Sequence, residues 1–262
     1  MLSKKKDNLT LYKHILTLFM MLSVLACSTD KTAMKEEPLF VPEDTYSKAN
    51  ELIEDRYYDD ARTLLETIIT KDASQKYAVL ARLRIADTYY NGEFYDEAVI
   101  EYESFLKLYP YHKYASYAQY MLAMSFFKRM KTVDISYTWA QKALVEFQKL
   151  QRRYPRNPYM NLIDSRIKTC RNMLAEYEYY VANFYYAKGS YKAAIGRFDG
   201  MLQNYPDSSR VPEALYYMGV SYENLGQRDE AINNLTVLIE KFPTTEISIE
   251  AKKFVDSFDK EK

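Results

Sequence analysis

Side chains that could support catalysis are few, and the sequence does not group them. Its two histidines are His14, near the start of the chain, and His112, in a turn-forming segment after Pro110. Neither a metal-ligand cluster, a phosphate-binding glycine loop nor a Gly-x-Ser-x-Gly segment occurs. Acidic pairs such as Asp59-Asp60 have the spacing of a solvated helix surface. The sequence therefore predicts a protein with no enzymatic activity, no cofactor and no metal.

The two cysteines have different surroundings, and only one predicts a reaction. Cys170 lies in a helical stretch with apolar residues three and four positions apart, which is typical of a buried, inert thiol. Cys27 follows a leader that has lysines near its start and an uncharged run over Ile15–Ala26. Because a membrane-spanning helix needs about 20 apolar residues, this shorter run predicts a secretory signal peptide over residues 1–26.

The tetrad Val24-Leu25-Ala26-Cys27 resembles the lipobox of bacterial lipoproteins. In that class a peptidase cuts before the cysteine, so the resemblance implies that Cys27 becomes the lipidated N-terminus. An ordinary signal peptide with a chance cysteine at its end is the alternative. By the sorting rule of enteric-type bacteria, Ser28 implies the outer membrane. Residues 27–43 have no periodicity and predict a flexible tether.

A recurring spacing of small and large residues accounts for most of the remaining chain. A small residue is followed by an aromatic residue at three positions and by Ala at twelve, and then by large residues and a closing Pro. Such a period in the thirties is typical of tetratricopeptide repeats, which stack helical hairpins into a solenoid. The three regular copies are Ala86, Tyr89, Ala98, Tyr102, Phe105, Pro110; Ala182, Tyr185, Ala194, Phe198, Met201, Pro206; and Gly219, Tyr222, Ala231, Leu235, Leu238, Pro243.

Two further copies are less regular. One begins at Ala49, and the other runs from Ala123 to Ala143, a spacing of 20 residues that predicts an enlarged loop at 131–138. We therefore predict an all-α fold, a tetratricopeptide-repeat superhelical solenoid of five helical hairpins over residues 44–258, with a polar tail at 259–262. The repeats are expected at about 42–75, 79–112, 116–157, 175–208 and 212–245.

The same pattern makes local predictions. We expect ten to eleven helices and no strands. One long helix is expected over Tyr159–Lys188, because this stretch contains neither Gly nor Pro and keeps its helical spacing. The alanines at helix crossings, Ala98, Ala194 and Ala231, should tolerate no larger side chain. Glycine in turns such as Asn91-Gly92-Glu93 should adopt the left-handed conformation that closes a helix.

Charge composition argues against a nucleic-acid partner. The 36 basic residues are balanced by 36 acidic ones, whereas nucleic-acid binding calls for a basic surplus.

Tyrosine is the unusual component, with 27 residues against only 6 glycines. By register, several tyrosines fall on the inner face of the first helix of each repeat, where tetratricopeptide domains bind extended peptides. Packing within the core is the alternative for each of them. The candidates are Tyr46, Asn50, Tyr90, Tyr120 and Phe127 in repeats one to three, and Tyr179, Asn183, Tyr186, Tyr216 and Glu223 in repeats four and five.

Lipobox, tether and five repeats together resemble the BamD family (also called ComL or YfiO) of the β-barrel assembly machinery. The segments Leu174–Ala182, Phe184–Gly189 and Tyr205–Ser208 carry the closest likeness. The resemblance implies an outer-membrane lipoprotein whose C-terminal repeats dock a BamA-type barrel-forming subunit. It also implies that the N-terminal repeats receive the aromatic C-terminal signal of unfolded outer-membrane β-barrel proteins.

Two other functions stay open at this point. One is a periplasmic scaffold of the Tol or cell-division coordinating type, which is built from similar repeats but often carries an N-terminal coiled coil; the chain has no heptads before residue 44. The other is a glycan-binding outer-membrane lipoprotein, which would need a long helical hairpin with insertions into the groove.

Overall fold

The computed structural model describes residues 39–258, except for the side chains at positions 134 and 135. The chain divides into units 1–40 and 41–262, and every described helix belongs to the second. The predicted signal peptide, the predicted lipidation site Cys27 and the predicted polar tail lie outside the described residues. The first described helix begins at Pro42, so Pro42 and Glu43 belong to it rather than to the predicted tether. Proline and acidic residues both favour the first turn of a helix.

Helices account for all the regular structure between residues 39 and 258, where no strand occurs. Eleven helices are found there, which agrees with the predicted number and with the all-α class. They are α1 (Pro42–Glu54), α2 (Tyr58–Lys71), α3 (Lys76–Asn91), α4 (Tyr95–Leu108), α5 (Ala115–Lys128), α6 (Val133–Arg153), α7 (Met160–Ala187), α8 (Tyr191–Asn204), α9 (Val211–Asn224), α10 (Arg228–Lys241) and α11 (Glu246–Phe258).

Each helix packs mainly against the helices next to it in the chain. The first helices of successive hairpins also touch, since α1 contacts α3 and α7 contacts α9. This nearest-neighbour packing is the pattern of a solenoid, in which each hairpin buries its apolar face against the following one.

Small residues occupy the helix crossings, as the repeat spacing predicts. The alanines at the crossings of the second, fourth and fifth hairpins, Ala98, Ala194 and Ala231, are fully buried. Large residues one and two turns later, such as Phe198 and Met201, are buried beside them. The tightest crossing is at Gly219, where an added Cβ would lie 2.8 Å from Leu235 Cγ.

The turns within four of the five hairpins contain one residue with a left-handed backbone. It lies seven positions after the small residue of the crossing and is Arg56, Glu93, Gly189 or Gly226. The prediction for Gly92 is therefore wrong, because Gly92 keeps a φ of −79° and Glu93 takes the left-handed conformation with a φ of 64°. Gly92 instead leaves room for Phe94, whose ring would lie 3.0 Å from an added Cβ.

Helix α7 connects two separate hydrophobic cores. Ile163 and Cys170 in its first half belong to the core of the N-terminal hairpins, and Ala175 and Ala182 belong to the C-terminal core. Its bounds, Met160–Ala187, agree closely with the predicted long helix. One continuous helix of 28 residues thus links the two halves of the repeat unit.

The enlarged loop predicted at 131–138 is wrong, since the additional residues lengthen α6. The connection between α5 and α6 covers only residues 129–132, and α6 has 21 residues where α4, α8 and α10 have 14. The added turns are helical because their inner face finds partners. Ser136 and Ala140 are fully buried, and the Trp139 ring is stacked 6.4 Å from that of Phe126.

Candidate functional site

A cavity of about 610 Å³ lies on the first helices of the N-terminal hairpins. Helices α1 and α3 each contribute residues three or four positions apart, which share one helix face. The N-terminal ends of α5 and α7 supply the remaining wall, which is aromatic. The lining residues are Tyr46, Asn50, Glu54, Leu80, Leu83, Arg84, Asp87, Tyr114, Tyr117 and Tyr159. The cavity therefore combines tyrosine rings with a short line of polar groups.

Asp87 is the centre of a hydrogen-bond network beneath this cavity. The residue is 4% exposed, and its Oδ1 accepts bonds from the hydroxyls of Tyr102 at 2.7 Å and Tyr117 at 2.8 Å. Arg84 Nη1 donates to Asp87 Oδ2 at 3.2 Å, and Arg84 Nε donates to Asn50 Oδ1 at 2.9 Å. The Asp87 carboxylate thereby joins α3 to α4 and α5, and Arg84 extends the network to α1.

Burial changes the titration of this network. It raises the pKa of the Asp87 carboxyl, while the hydrogen bonds from Tyr102 and Tyr117 and the charge of Arg84 act against that rise. Burial also raises the pKa of both phenols, and the Asp87 charge raises it further. Both hydroxyls therefore stay protonated at neutral pH and remain donors to Asp87.

Two of the N-terminal residues predicted from the sequence line the cavity directly. Tyr46 and Asn50 lie one helical turn apart on α1, and Asn50 is bonded to Arg84 of the next hairpin. Burial raises the pKa of Tyr46, which the charge of Arg84 and a hydrogen bond with Asn50 partly offset. Tyr46 and Asn50 thus share one site, as their register on the first helix predicts.

The other three predicted residues, Tyr90, Tyr120 and Phe127, do not line the cavity and are half-buried against the N-terminal core. Tyr120 borders it, because its ring stacks on that of the lining residue Tyr159 at 4.4 Å and 10°. Phe127 packs edge-on against Phe147, 6.1 Å away. Tyr90 lies edge-on against Tyr95, 5.6 Å away, and burial raises its pKa to about 12.

The C-terminal candidates form an aromatic cluster on α7 and α9. Tyr186 and Tyr216 both pack against Tyr217, with centroids 5.0 and 5.5 Å apart. Burial raises the pKa of Tyr179, and the neighbouring Asn183 side chain acts against that rise. The structure therefore brings four of the five predicted residues into one neighbourhood.

Ion pairs at the surface accompany this cluster. Arg210 places its guanidinium 5.0 Å over the Tyr179 ring and pairs with Glu176 at 2.8 Å and with Glu213 at 3.3 Å. Glu223, the fifth candidate, pairs with Arg228 at 3.0 Å. Its Oε1 is thus engaged within the chain, whereas its buried Oε2 has no hydrogen-bond partner among the described residues.

Sequence reasoning missed several residues of the N-terminal site. Tyr114 and Tyr159 precede the helices they border, so the register of the first helices could not find them. Arg84 lies three positions before Asp87, a spacing that indicates an ion pair on one helix face. The sequence therefore indicates the Arg84–Asp87 pair. It does not indicate the bonds of Arg84 to Asn50 or of Asp87 to Tyr117, because those partners are far away in the sequence.

Cys170 and His112 have no site around them. Cys170 is fully buried, and burial raises the pKa of its thiol to about 12, so it stays protonated. His112 packs edge-on against Phe105, with ring centroids 5.9 Å apart. Between residues 39 and 258, no three His, Cys, Asp or Glu side chains are grouped so that they could hold a metal ion.

None of the described helices between Pro42 and Phe258 combines the length and the apolar character that crossing a bilayer requires.

Two solved structures are similar to this chain at low sequence identity. The TPR2AB domain of yeast Sti1, in complex with pHSP90, has a TM-score of 0.46 and 14% identity, with 84% of each chain covered. A tetratricopeptide repeat protein from Parabacteroides merdae has a TM-score of 0.37 and 16% identity, over 82% of this chain and 72% of that chain.

Curated relatives share higher sequence identity with this chain than those solved structures do. The outer membrane protein assembly factor BamD of Xylella fastidiosa is 27% identical over 241 residues, which are 88% of this chain and 82% of that protein. BamD of Neisseria meningitidis is 26% identical, over 88% of this chain and 91% of that protein. The Caulobacter vibrioides factor is 29% identical, over 64% of this chain but only 55% of that protein.

A family model described as YfiO, outer membrane lipoprotein, matches residues 40–234. The match begins just before α1 and extends into α10, so it includes the aromatic cavity and the C-terminal cluster. By this match the chain belongs to the YfiO family of outer membrane lipoproteins.

Proposed function

We propose that this protein is a non-catalytic lipoprotein subunit of the machinery that assembles β-barrel proteins into the outer membrane. The family match over residues 40–234 is the observation that carries the proposal, and the curated relatives are named as assembly factors. The five hairpins of the predicted repeats would form its scaffold. The absence of grouped catalytic residues in the sequence is in keeping with this role.

The N-terminal cavity would receive an extended segment of an unfolded β-barrel protein. Its four tyrosines, Tyr46, Tyr114, Tyr117 and Tyr159, offer large ring surfaces to aromatic side chains of such a segment. The rings bordering the cavity, Tyr120 above all, would extend that surface. Because the network around Asp87 already holds the walls in place, little ordering of the protein would be needed on binding.

The C-terminal hairpins would hold the barrel-forming, BamA-type subunit. Tyr179, Tyr186 and Tyr216 supply a half-buried aromatic surface there, and the ion pairs of Arg210 supply a polar border. Aromatic residues and arginine are enriched at protein–protein interfaces. Asn183 and Glu223 belong to the same proposed surface.

Anchoring to the periplasmic face of the outer membrane would depend on Cys27 and the tether after it. The test is labelling with palmitate, followed by membrane fractionation, of the wild type and of Cys27→Ser. We expect label and membrane association for the wild type alone. Incorporation of no label into the wild-type protein would rule out the lipid anchor.

The assembly role itself is tested by affinity purification of the full-length protein from detergent-solubilised membranes. Recovery of the barrel-forming subunit is the expected result. Recovery of Tol or cell-division proteins in its place would contradict the proposal and favour the periplasmic scaffold.

A further inference from the structure

Two neighbouring turns of the N-terminal half carry basic side chains without acidic ones. The hydroxyl of Tyr154 donates to the carbonyl oxygen of Pro110 at 3.1 Å, so the turn between α6 and α7 lies beside the turn between α4 and α5. The segments that contain these turns, 104–116 and 147–163, have no Asp or Glu, although the whole chain has as many acidic as basic residues. Apart from Lys149, their exposed basic side chains form what we call the basic edge and are Lys107, Lys113, Arg152, Arg153 and Arg156.

Carboxylates of the same helices are bonded elsewhere or lie further from the turns. Glu146 is 9% exposed and pairs with Lys149 at 2.6 Å, and Asp164 accepts a bond from Gln151 Nε2 at 2.7 Å. Glu103 is exposed on α4, one helical turn before Lys107. Within residues 39–258, none of the five basic-edge side chains has an ion-pair partner.

The adjoining ends of α1 to α3 add both signs of charge. Lys71 and Lys76 flank the turn between α2 and α3, whose carboxylate, Asp72, is 3% exposed and bonded to the backbone of α3. Glu43 and Asp44 are exposed in the first turn of α1. The excess of positive charge is therefore centred on the two turns of the basic edge.

Apolar side chains are exposed among these charges. Tyr111 is 94% exposed at the tip of its turn, Leu108 before it is 53% exposed, and Leu162 in the first turn of α7 is 51% exposed. Single exposed apolar residues are common on protein surfaces. Tyrosine and leucine beside arginine and lysine, however, are the combination found where a protein lies in the headgroup region of a bilayer.

The chain enters the repeat unit along the same edge. Tyr46 near the start of α1 packs against Tyr77 at the start of α3, with ring centroids 5.7 Å apart. Tyr117 near the start of α5 packs against Tyr159, which precedes α7, at 6.5 Å. The first helices thus begin side by side, and Val41 precedes α1 at that end. A flexible tether of the predicted length would span about 20 Å on average, so it would keep this edge near the lipid anchor.

We infer that the basic edge lies against the anionic surface of a phospholipid bilayer, as a second membrane contact beside the lipid. The inference rests on the anchor proposed above. A flexible tether leaves the orientation of the hairpins open, whereas attraction of five basic side chains to anionic headgroups would turn one edge towards the bilayer. A bilayer is favoured over an acidic protein because Tyr111 projects from its turn, and a bilayer accepts such a side chain without a matching pocket.

The test follows a fluorophore on Tyr111→Cys in the full-length protein, reconstituted into vesicles that contain brominated phospholipids. Bromine quenches the fluorophore only at contact, and the native Cys170 is fully buried. We expect quenching in vesicles of phosphatidylglycerol and phosphatidylcholine in equal parts, and little in phosphatidylcholine alone. Added salt should reduce it, because salt screens exposed charges.

The matched position is Tyr57→Cys. Tyr57 is a 60% exposed tyrosine in the turn between α1 and α2, at the opposite end of α1 from Val41 and beside Asp55 and Asp59. It belongs to the hairpin that follows the tether, so proximity to the anchor alone would affect it at least as much as position 111. We expect no quenching there in either kind of vesicle.

A charge variant tests the basic side chains themselves. Each one near an anionic surface favours contact by about fivefold, so loss of three should lower the ratio of contacting to free protein about a hundredfold and abolish most of the quenching. The substitutions, made together with Tyr111→Cys, are Arg152→Gln, Arg153→Gln and Arg156→Gln. A control with the same change in net charge should leave the quenching unchanged; it replaces three exposed lysines of the C-terminal half, as Lys241→Gln, Lys252→Gln and Lys253→Gln.

Equal quenching at positions 111 and 57, or full quenching in the arginine variant, would overturn the inference. Absence of quenching in the anionic vesicles would also overturn it and would favour an acidic protein as the partner of the basic edge. Reaction of the fluorophore with the parent protein, which lacks the introduced cysteine, would reveal a free Cys27 thiol and contradict the anchor alone. The same comparison in a Cys27→Ser background would then test the basic edge.

Discussion

The N-terminal and C-terminal hairpins share one repeat pattern but differ in where their polar side chains form contacts. After the small residue of the first helix, the second hairpin has Asp87, which is buried and bonded to Arg84 on its own helix, to Tyr102 on α4 and to Tyr117 on α5. The fourth hairpin has Asn183 at that position, which is half-buried beside Tyr179. The C-terminal charges, such as Arg210 with Glu176, pair at the surface instead. The N-terminal face is therefore held by a buried network, whereas the C-terminal face is arranged by exposed contacts.

The largest expected effect comes from removing the buried charge. Asp87→Ala would leave Tyr102 and Tyr117 without an acceptor and Arg84 without its counter-ion. We expect a loss of about 3–5 kcal/mol in the free energy of unfolding. Asn183→Ala, the matched change in the other half, should cost about 1 kcal/mol. Urea unfolding of both variants measures this, and equal losses would remove the distinction between the halves.

The helix crossings offer a second, smaller contrast. The second hairpin has Ala86 at its crossing, while the fifth has Gly219, with Leu235 pressed against it. Gly219→Ala should lower the free energy of unfolding by about 1–2 kcal/mol, because overpacking exceeds the gain in helix propensity.

The control for that substitution is Gly200→Ala, where an added Cβ has open space within 4 Å. The same change should there raise stability by up to about 1 kcal/mol, since only the helix propensity changes. Thermal melts of both variants decide the matter. A stabilising Gly219→Ala would show that the crossing is looser than its geometry indicates.

The smallest expected effect is on the free energy of unfolding at acid pH, to which two carboxylates of the N-terminal half contribute with opposite sign. The hydrogen bonds from Ser74 and from the backbone of α3 lower the pKa of Asp72. Its stabilising contribution is present above the unfolded pKa of about 3.9 and is lost as the pH falls through the lower folded value.

Asp87 should behave in the opposite way, because burial raises its pKa. The cost of burying its charge is present above the raised value and disappears as the pH falls towards about 3.9. On acidification the stability of the wild type should thus decrease relative to Asp72→Asn and increase relative to Asp87→Asn. Unfolding curves between neutral pH and pH 3 test both signs, and parallel trends would contradict this assignment.

The repeat spacing predicts the fold well because its small residues indicate where the helices cross. A residue such as Ala98 or Ala194 is small for a geometric reason that depends only on its own hairpin, so its position can be read locally. The same holds for α7, whose helical pattern is uninterrupted. The repeat spacing predicts a loop where α6 has added helical turns. Those turns are helical because Ser136 and Trp139 pack against residues of other helices, which the spacing does not identify.

The candidate site was only partly predictable. Register found Tyr46 and Asn50, since both lie on the inner face of one helix. It could not find the bonds that join Asp87 to Tyr117 of another hairpin, 30 residues later, or Arg84 to Asn50, 34 residues earlier. Such contacts follow from how whole hairpins stack, and no local pattern contains that information.

Paired titrations measure whether the two halves bind different partners, as we propose. One variant combines Tyr46→Ala with Tyr114→Ala on the cavity, and the other combines Tyr179→Ala with Tyr216→Ala on the C-terminal cluster. Each is titrated with the aromatic-ending peptide and with the periplasmic part of the barrel-forming subunit. Aromatic contacts contribute about 0.5–1.5 kcal/mol each beyond burial, so each pair should cost about tenfold in affinity. We expect the first variant to lose affinity only for the peptide and the second only for the subunit. Equal losses of affinity for both ligands in either variant would show that the two halves do not bind separate partners.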